Sequence, residues 1–182
     1  MTMTGAGVPL DLLGWIAANA SSFEPPVANR VVWPDSEFIF MVVRGPNARN
    51  DFHVDPGDEI FYQLRGDIRV DVIDSDGVRE KRIVREGDVM LVPAGMPHAP
   101  MRPADTWGVV IERRRAVDEL DQLVWFCDHC GNELARAEFH VNDIETELKR
   151  AIEVFNADTD LRRCGRCDHL QPVPEPFSLD ER

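Results

Sequence analysis

The sequence predicts an all-β-dominated fold, a sandwich or barrel with a short helix toward each end. Short apolar stretches of strand length follow one another from Val31 to Arg115, with no helical periodicity between them. The segment Asp74–Gly77 has the composition of a hairpin turn. Apolar residues at helical spacing occur only before and after this region. A core built from strands is therefore expected.

Each element is predicted from its local pattern. Pro9 to Ala20 carries apolar residues at helical spacing and predicts a short amphipathic helix, which a connector follows. Asn142 to Phe155 predicts a second helix, because its apolar residues recur at steps of four, four and three. These patterns divide the chain into residues 1–30, 31–115 and 116–182. The predicted strands are Phe38–Val43, Glu59–Leu64, Ile68–Ile73, Lys81–Val84, Val89–Val92 and Trp107–Glu112.

Composition narrows the function classes. A length of 182 residues with 43% hydrophobic residues suits one domain with a small appendage. The net charge of −13 argues against a nucleic-acid-binding surface. The chain shows neither a membrane-spanning apolar stretch nor a secretory leader pattern, so we expect a cytoplasmic protein without a membrane partner. The basic run at residues 112–115 is interpreted as a solvated strand end.

All four cysteines lie in two Cys-x-x-Cys pairs, Cys127 with Cys130 and Cys164 with Cys167. This doubled spacing is typical of a tetrahedral four-thiolate metal site. Because four protein ligands leave no open position, such a site is expected to be structural. Two disulfides, or thiols without a role, are the alternative. Paired thiols without a secretion signal also indicate a reducing compartment.

A second set of residues suits a catalytic metal. His53 and Glu59 can point to one side of the sheet, since they stand at odd positions around the Pro56–Gly57 turn. His98 follows a turn containing two prolines, which can aim it toward the same point. Two imidazoles and one carboxylate form the facial triad that suits Fe(II) and leaves positions open. Each histidine alone could instead be a surface or core side chain.

The segments at residues 53–66 and 87–98 resemble the two motifs of the cupin superfamily. Every anchor residue matches except one, because Asp55 stands where many cupins have a second histidine. The resemblance implies a single cupin barrel, also called a double-stranded β-helix or jelly roll. A short N-terminal helix and a small C-terminal metal-knuckle appendage with one helix would complete the fold.

A closer resemblance is to the 3-hydroxyanthranilate 3,4-dioxygenase family. It rests on Gly45–His53, Asp58–Leu64, Pro97–His98 and Val110–Arg113, together with Arg102. The four-cysteine tail resembles the bacterial branch of this family, which carries a rubredoxin-like iron site. The knuckles depart from rubredoxin itself, since Asp128 and Gly165 replace its prolines.

This resemblance implies a non-haem Fe(II) dioxygenase that inserts O₂ into 3-hydroxyanthranilate. The product would be 2-amino-3-carboxymuconate semialdehyde, the precursor of quinolinate. The two histidines and Glu59 would bind the catalytic iron, and Glu59 would also contact the substrate. Arg49 would lie at the oxygen site, Arg102 would bind the substrate carboxylate, and Glu112 would contact its amino and hydroxyl side. A second iron or zinc at the cysteines and a homodimer are also implied.

Two other classes of protein fit the same motifs. One is a different cupin enzyme, such as a thiol dioxygenase, an isomerase, or a dioxygenase for another aminophenol or catechol. The other is a non-catalytic cupin that binds a small molecule. The first would keep the triad without needing Arg102 and Glu112, and in the second the metal would be structural or absent, against which the intact triad argues. Arg102 and Glu112 could instead form a buried or rim ion pair.

Overall fold

The computed structural model describes residues 7–24 and 26–179. Across these ranges the chain forms eleven strands and three α-helices. The helices are α1 (Leu12–Asn19), α2 (Glu147–Ala157) and α3 (Thr159–Arg162). None of these helices is long and apolar enough to span a membrane. The strands are β1 (Ala28–Val31), β2 (Phe38–Arg44), β3 (Asp51–Val54), β4 (Glu59–Arg65), β5 (Ile68–Ile73), β6 (Arg79–Val84), β7 (Val89–Val92), β8 (His98–Met101), β9 (Trp107–Arg113), β10 (Asp121–Phe126) and β11 (Glu133–Phe139).

The strands form two antiparallel sheets that enclose the core. One sheet has the order β1-β2-β9-β4-β7, and the other has the order β11-β10-β3-β8-β5-β6. In β4, the side chains of Glu59, Phe61 and Gln63 are buried, whereas Ile60 and Tyr62 face outward. This alternation is what a strand with one face on a core requires. The predicted jelly-roll barrel is confirmed.

All six predicted strands are present, with ends within two residues of the predicted positions. The sequence did not predict β1, β3, β8, β10 or β11. Strands β3 and β8 have only four residues each, and β8 contains Pro100, which weakens a strand signal. The predicted boundary at residue 115 separates β9 from β10, yet β10 pairs with β3 in one sheet. Besides the one helix predicted for the C-terminal part, the structure contains the short α3.

Helix α1 covers the outer face of β2. The helix begins at Leu12, later than predicted, because the Asp11 side chain accepts a hydrogen bond from the N–H of Gly14 at 3.0 Å. Its buried residue Ile16 packs in a cluster with Val42 of β2. This helix therefore belongs to the outside of the barrel and takes no part in the pocket.

Helix α2 packs on the inner core at the barrel mouth. Its first residue is Glu147, five residues later than predicted, because the Glu147 carboxylate accepts from the N–H groups of Asn142 and Asp143. These bonds hold the preceding segment as a turn. On the helix, Phe155 stacks on Trp125 of β10 with ring centroids 4.5 Å apart and an interplanar angle of 12°. The helix thus contributes to the barrel core.

We predict that Phe155→Ala lowers the free energy of unfolding by about 3–5 kcal/mol, because it leaves a cavity beside Trp125. Urea denaturation followed by fluorescence measures this change. The matched control is Val154→Ala on the same helix, where the side chain is 57% exposed; the control should change stability by about 0.5 kcal/mol or less. Equal stabilities of the two variants would contradict the packing role of α2.

Candidate metal centre and substrate pocket

Three strands bring His53, Glu59 and His98 together inside the barrel. His53 in β3 and His98 in β8 are direct cross-strand partners. Glu59 Oε1 lies 3.5 Å from His53 Nδ1 and 3.0 Å from His98 Nε2. All three side chains are buried, and one potential ligand atom of each lies within 4.8 Å of the others. The sequence-predicted triad therefore converges on one point.

The far nitrogen of each imidazole has its own partner. His53 Nε2 lies 2.7 Å from Asp121 Oδ2, and His98 Nδ1 lies 3.0 Å from the carbonyl oxygen of Met96. Partners of this kind fix the tautomer and the orientation of histidines that bind metals. Sequence reasoning missed Asp121, which no motif marks.

The donor atoms fit a cation. Glu59 Oε1 is buried and faces one ring nitrogen of each histidine. Burial raises the pKa of Glu59, but the neighbouring charges, led by His98, outweigh it and lower that pKa to about 2. Burial lowers the pKa of His98, and the Glu59 charge reverses this and raises it. An ionised carboxylate between two anchored imidazoles matches the two-histidine, one-carboxylate set of non-haem iron sites.

A cavity extends from this triad to the barrel mouth. It encloses about 510 Å³ of empty space, including the solvent at its opening. Its wall is largely apolar and includes Ile144 and Leu148, from the segment that carries α2. The predicted residues Arg49, Arg102 and Glu112 also line it. A pocket with apolar walls and a few convergent charges suits a small aromatic molecule with polar substituents.

Arg102 is a buried cation, and among the residues that the structure describes none offers it a carboxylate. Its side chain donates to Gln63 Oε1 at 3.1 Å. Burial, assisted by the charge of Arg49, lowers the pKa of Arg102 to about 9. Buried charges are normally paired, so this guanidinium lacks a partner that an anionic ligand could supply. The alternative of an ion pair between Arg102 and Glu112 is not found.

Arg49, in contrast, is paired. It forms two hydrogen bonds with the carboxylate of Asp51, at 3.1 and 2.5 Å, and both residues are buried. Its charge is therefore balanced while it still lines the pocket.

Glu112 lies beside the triad and contacts Arg115. Its Oε1 accepts from Arg115 Nη1 at 3.1 Å, whereas Oε2 is buried without a partner. Burial, reinforced by the charge of Glu59, raises the pKa of Glu112 well above its usual range. The interpretation of residues 112–115 as a solvated strand end is wrong for Arg115, whose side chain is only 1% exposed. The sequence gives no signal for this burial, because Arg115 follows the last residue of β9.

The C-terminal segment 171–179 crosses the loop that precedes β3 and carries Arg49. The N–H of Phe177 donates to the carbonyl of Asn47 at 2.9 Å. Asn47 is buried, exchanges backbone and side-chain bonds with Arg102, and donates to the carbonyl of Pro100 at 2.6 Å. This loop therefore connects the C-terminal segment to the backbone of a pocket residue.

The four cysteines converge at a second site. Their sulfur atoms lie within 4.8 Å of one another, and all four are free thiols. Burial raises the pKa of Cys164, but N–H groups of Arg166 and Cys167 outweigh it and lower that pKa to about 6. Free thiols in this arrangement match a metal site and disagree with the disulfide alternative.

The two knuckles have the same backbone geometry. In the first, Gly131 adopts φ 71° and donates to the carbonyl of Cys127 at 2.8 Å. In the second, Asp168 takes the equivalent place with φ 60° and the same bond to Cys164. Asp168 thus holds a left-handed conformation that glycine adopts more readily. A metal bound by all four sulfurs would stabilise both knuckles.

The jelly-roll barrel and the buried triad together define a β-barrel protein with a candidate metal centre. The sequence profile described as 3-hydroxyanthranilic acid dioxygenase matches residues 3–156. The chain belongs to this family. The matched range ends before the second knuckle.

Several relatives carry the name 3-hydroxyanthranilate 3,4-dioxygenase. A protein from Bacillus thuringiensis is 49% identical over 89% of this chain and 90% of its own length. One from Pyricularia oryzae is 41% identical over 95% of this chain and 96% of its length, and one from Xanthomonas euvesicatoria is 41% identical over 95% and 97%. A solved cupin-2 domain protein from Shewanella frigidimarina has a TM-score of 0.45 at 20% identity, covering 54% of this chain and 92% of that chain.

We predict that Cys127→Ser removes the metal from the four-cysteine site and lowers the thermal midpoint by several degrees, since about 1 kcal/mol corresponds to about 2–4 °C in a domain of this size. Metal analysis and calorimetry measure the two effects. His129→Ser, in the same knuckle but outside the sulfur cluster, is the control. Turnover by the surviving folded protein should remain. Loss of turnover with an unchanged midpoint would contradict a structural role.

Proposed function

We propose that this enzyme is an Fe(II)-dependent dioxygenase that cleaves the ring of 3-hydroxyanthranilate with O₂. The product is 2-amino-3-carboxymuconate semialdehyde, and both oxygen atoms enter it, so no reductant is needed. The observation that carries this proposal is Arg102, a buried guanidinium without a carboxylate partner in the same pocket as the triad. It supplies the counter-charge for the substrate carboxylate.

His53, Glu59 and His98 would hold the ferrous ion. When bound, this ion supplies a centre at which an aromatic hydroxyl and amine and O₂ are activated side by side. The protein contributes rigidity, because the far nitrogens of both histidines are already anchored. Pocket residues Ile144 and Leu148 exclude water from the reacting atoms.

Arg102 orients the substrate. A guanidinium can bind a carboxylate through two parallel hydrogen bonds, which fix the ring in one direction relative to the triad. Arg49 lies on the same pocket wall, and its pairing with Asp51 keeps its position fixed. We assign Arg49 to the side of the pocket that receives oxygen.

Glu112 accepts a proton from the substrate and returns it. Its unpartnered Oε2 is the atom that can contact the hydroxyl and amine of the substrate. The raised pKa of Glu112 is suited to accepting and returning a proton, because a carboxylate with a high pKa is a stronger base. Arg115 holds the other oxygen, so Oε2 stays directed at the pocket.

The remaining assignments follow from the same chemistry. Four thiolate ligands accept iron or zinc, and we propose that the second site holds one of these two metals. Free thiols favour a reducing compartment, and we propose the cytoplasm. The net charge of −13 argues against binding to nucleic acid or to a membrane. We propose that the binding partners are the small substrate and O₂.

We predict that protein reloaded with Fe(II) consumes O₂ with 3-hydroxyanthranilate and prefers it to 2-aminophenol, which lacks the carboxylate. An ionic hydrogen-bonded contact contributes about 1.5–3 kcal/mol, so kcat/KM should differ by about 10- to 150-fold. Arg102→Met should remove most of this preference, and oxygen uptake with both substrates measures it. The control is Arg82→Met, a half-exposed arginine that pairs with Glu80.

His98→Ala serves as the inactive reference, since it lacks one proposed ligand of the catalytic metal. An unchanged preference in Arg102→Met would refute the assignment of the carboxylate contact. Faster uptake with another aminophenol or with a catechol would favour the alternative of a related ring-cleaving enzyme. No uptake with any of these compounds would favour a binding module.

We propose a homodimer that forms through the outer face of β4 and β7. Ile60 and Tyr62 of β4 stand beside Leu91 and Val89 of the edge strand β7, and all four are 39–65% exposed. Exposed apolar patches of this kind mark interaction sites. A second copy is the fitting partner, because an uncharged face lets two chains of net charge −13 approach without direct repulsion.

We predict that Leu91→Arg shifts the dimer to a monomer, because it places two like charges in a two-fold interface. Sedimentation velocity measures the change. Val78→Arg is the control, since Val78 is 53% exposed but lies just before β6 on the other sheet. If both variants sediment as the parent protein does, this face is not the interface.

A further inference from the structure

The side chain of Arg115 joins three carboxylates beneath the triad. Its guanidinium binds both oxygens of Asp121, at 2.6 and 2.5 Å. It also lies 2.8 Å from Asp55 Oδ2 and 3.1 Å from Glu112 Oε1. The Arg115 side chain is 1% exposed, and those of its three partners are 0–3% exposed. One cation therefore balances several buried acidic groups.

Asp55 is placed where it could bind the metal. It stands two residues after His53 and directly follows the last residue of β3. One oxygen each from Asp55, Glu59 and Glu112 lies within 4.8 Å of the other two. Asp55 Oδ1 accepts from the N–H of Gly57 at 2.6 Å. Its Oδ2 lies 2.8 Å from the Arg115 guanidinium, and the Glu112 carboxyl also faces Asp55.

We propose that Arg115 is a positioning residue that keeps Asp55 away from the metal. A carboxylate is a good ligand for a divalent cation, and a fourth protein ligand would occupy a position that a small molecule needs. Arg115 offers Asp55 an opposite charge 2.8 Å from Oδ2, and through Asp121 it also fixes His53. The inference rests on the proposed metal site and concerns how that site stays open.

The other possible partner of Asp55 is the metal, and this explains why Arg115 is needed. Without the guanidinium, Asp55 would be a buried carboxylate that has lost its ion-pair partner, and a bound metal would supply the opposite charge that it lacks. Arg115 is the basic residue paired with Asp55 within the described ranges. Replacing Arg115 should therefore allow the Asp55 carboxylate to bind the metal.

The test uses cobalt(II) as the metal and azide as a probe of the open position. Spectra are recorded as differences against His98→Ala, which keeps the four-cysteine site, so thiolate absorption cancels. In Arg115→Met, azide should bind at least about tenfold more weakly than in the parent, the size typical of losing a metal site's outer partner. Adding Asp55→Asn to that variant should restore azide binding to within about threefold, because an amide is a poorer ligand.

The control is Arg113→Met, which removes an arginine two residues away whose carboxylate partner is Glu119 near the surface. Parental azide affinity in Arg115→Met would overturn the proposal, and so would a double variant as weak as the single one. Should Arg115→Met fail to fold by circular dichroism, Arg115→Lys replaces it, since one ammonium cannot hold three carboxylates. The same rescue by Asp55→Asn is expected there, and its absence would also overturn the proposal.

The azide probe separates this inference from the proposed function. If the parent protein binds cobalt through His98 and binds azide but not 3-hydroxyanthranilate, the proposed substrate is refuted. The azide affinities of the Arg115 variants would still decide the role of Arg115. A parent without His98-dependent cobalt binding would refute both the metal site and this inference.

Discussion

The ion pairs of Arg115 are the interaction on which the barrel mouth depends. Buried carboxylates are stable only when a cation or several donors face them. Here one guanidinium contacts Asp55, Glu112 and Asp121, and Asp121 in turn anchors His53. The positions of His53, a proposed metal ligand, and of Glu112 are thus fixed by the same group. The barrel can bring these acidic residues close together because Arg115 offsets part of their charge and burial raises the pKa of Glu112.

The two pocket arginines differ in whether a carboxylate of the protein pairs with their buried charge. Arg49 is neutralised by Asp51 and is fixed before any ligand arrives. The Arg102 side chain donates to Gln63, it has no carboxylate partner within the described residues, and burial lowers its pKa to about 9. The pocket therefore keeps one positive charge for a ligand and balances the other internally. An anionic aromatic substrate is the class of molecule that satisfies such a pocket, because it brings both the missing charge and an apolar ring.

Alternation within each strand predicted the long strands, and the resemblance to the two cupin motifs predicted the triad, although His53 and His98 lie far apart in the sequence. Long-range pairing was not visible in this way. The pairing of β10 with β3 brings Asp121 to His53, and these residues are 68 positions apart. The burial of Arg115 depends on the same pairing, so a basic run looked like a solvated strand end. The late start of α2 at Glu147 follows from side-chain bonds to Asn142 and Asp143, which helical spacing does not reveal.

The C-terminal segment gives the four-cysteine site a mechanical connection to the pocket. Gln171 is buried beside the first knuckle, where its side chain pairs with Asp128 and its backbone pairs with Arg162. From this anchor the chain continues to Phe177, whose N–H binds the carbonyl of Asn47. Asn47 in turn holds the backbone of Arg102. A metal bound by the four cysteines would fix both knuckles, and it would thereby limit the movement of this segment and of Arg102 at its far end.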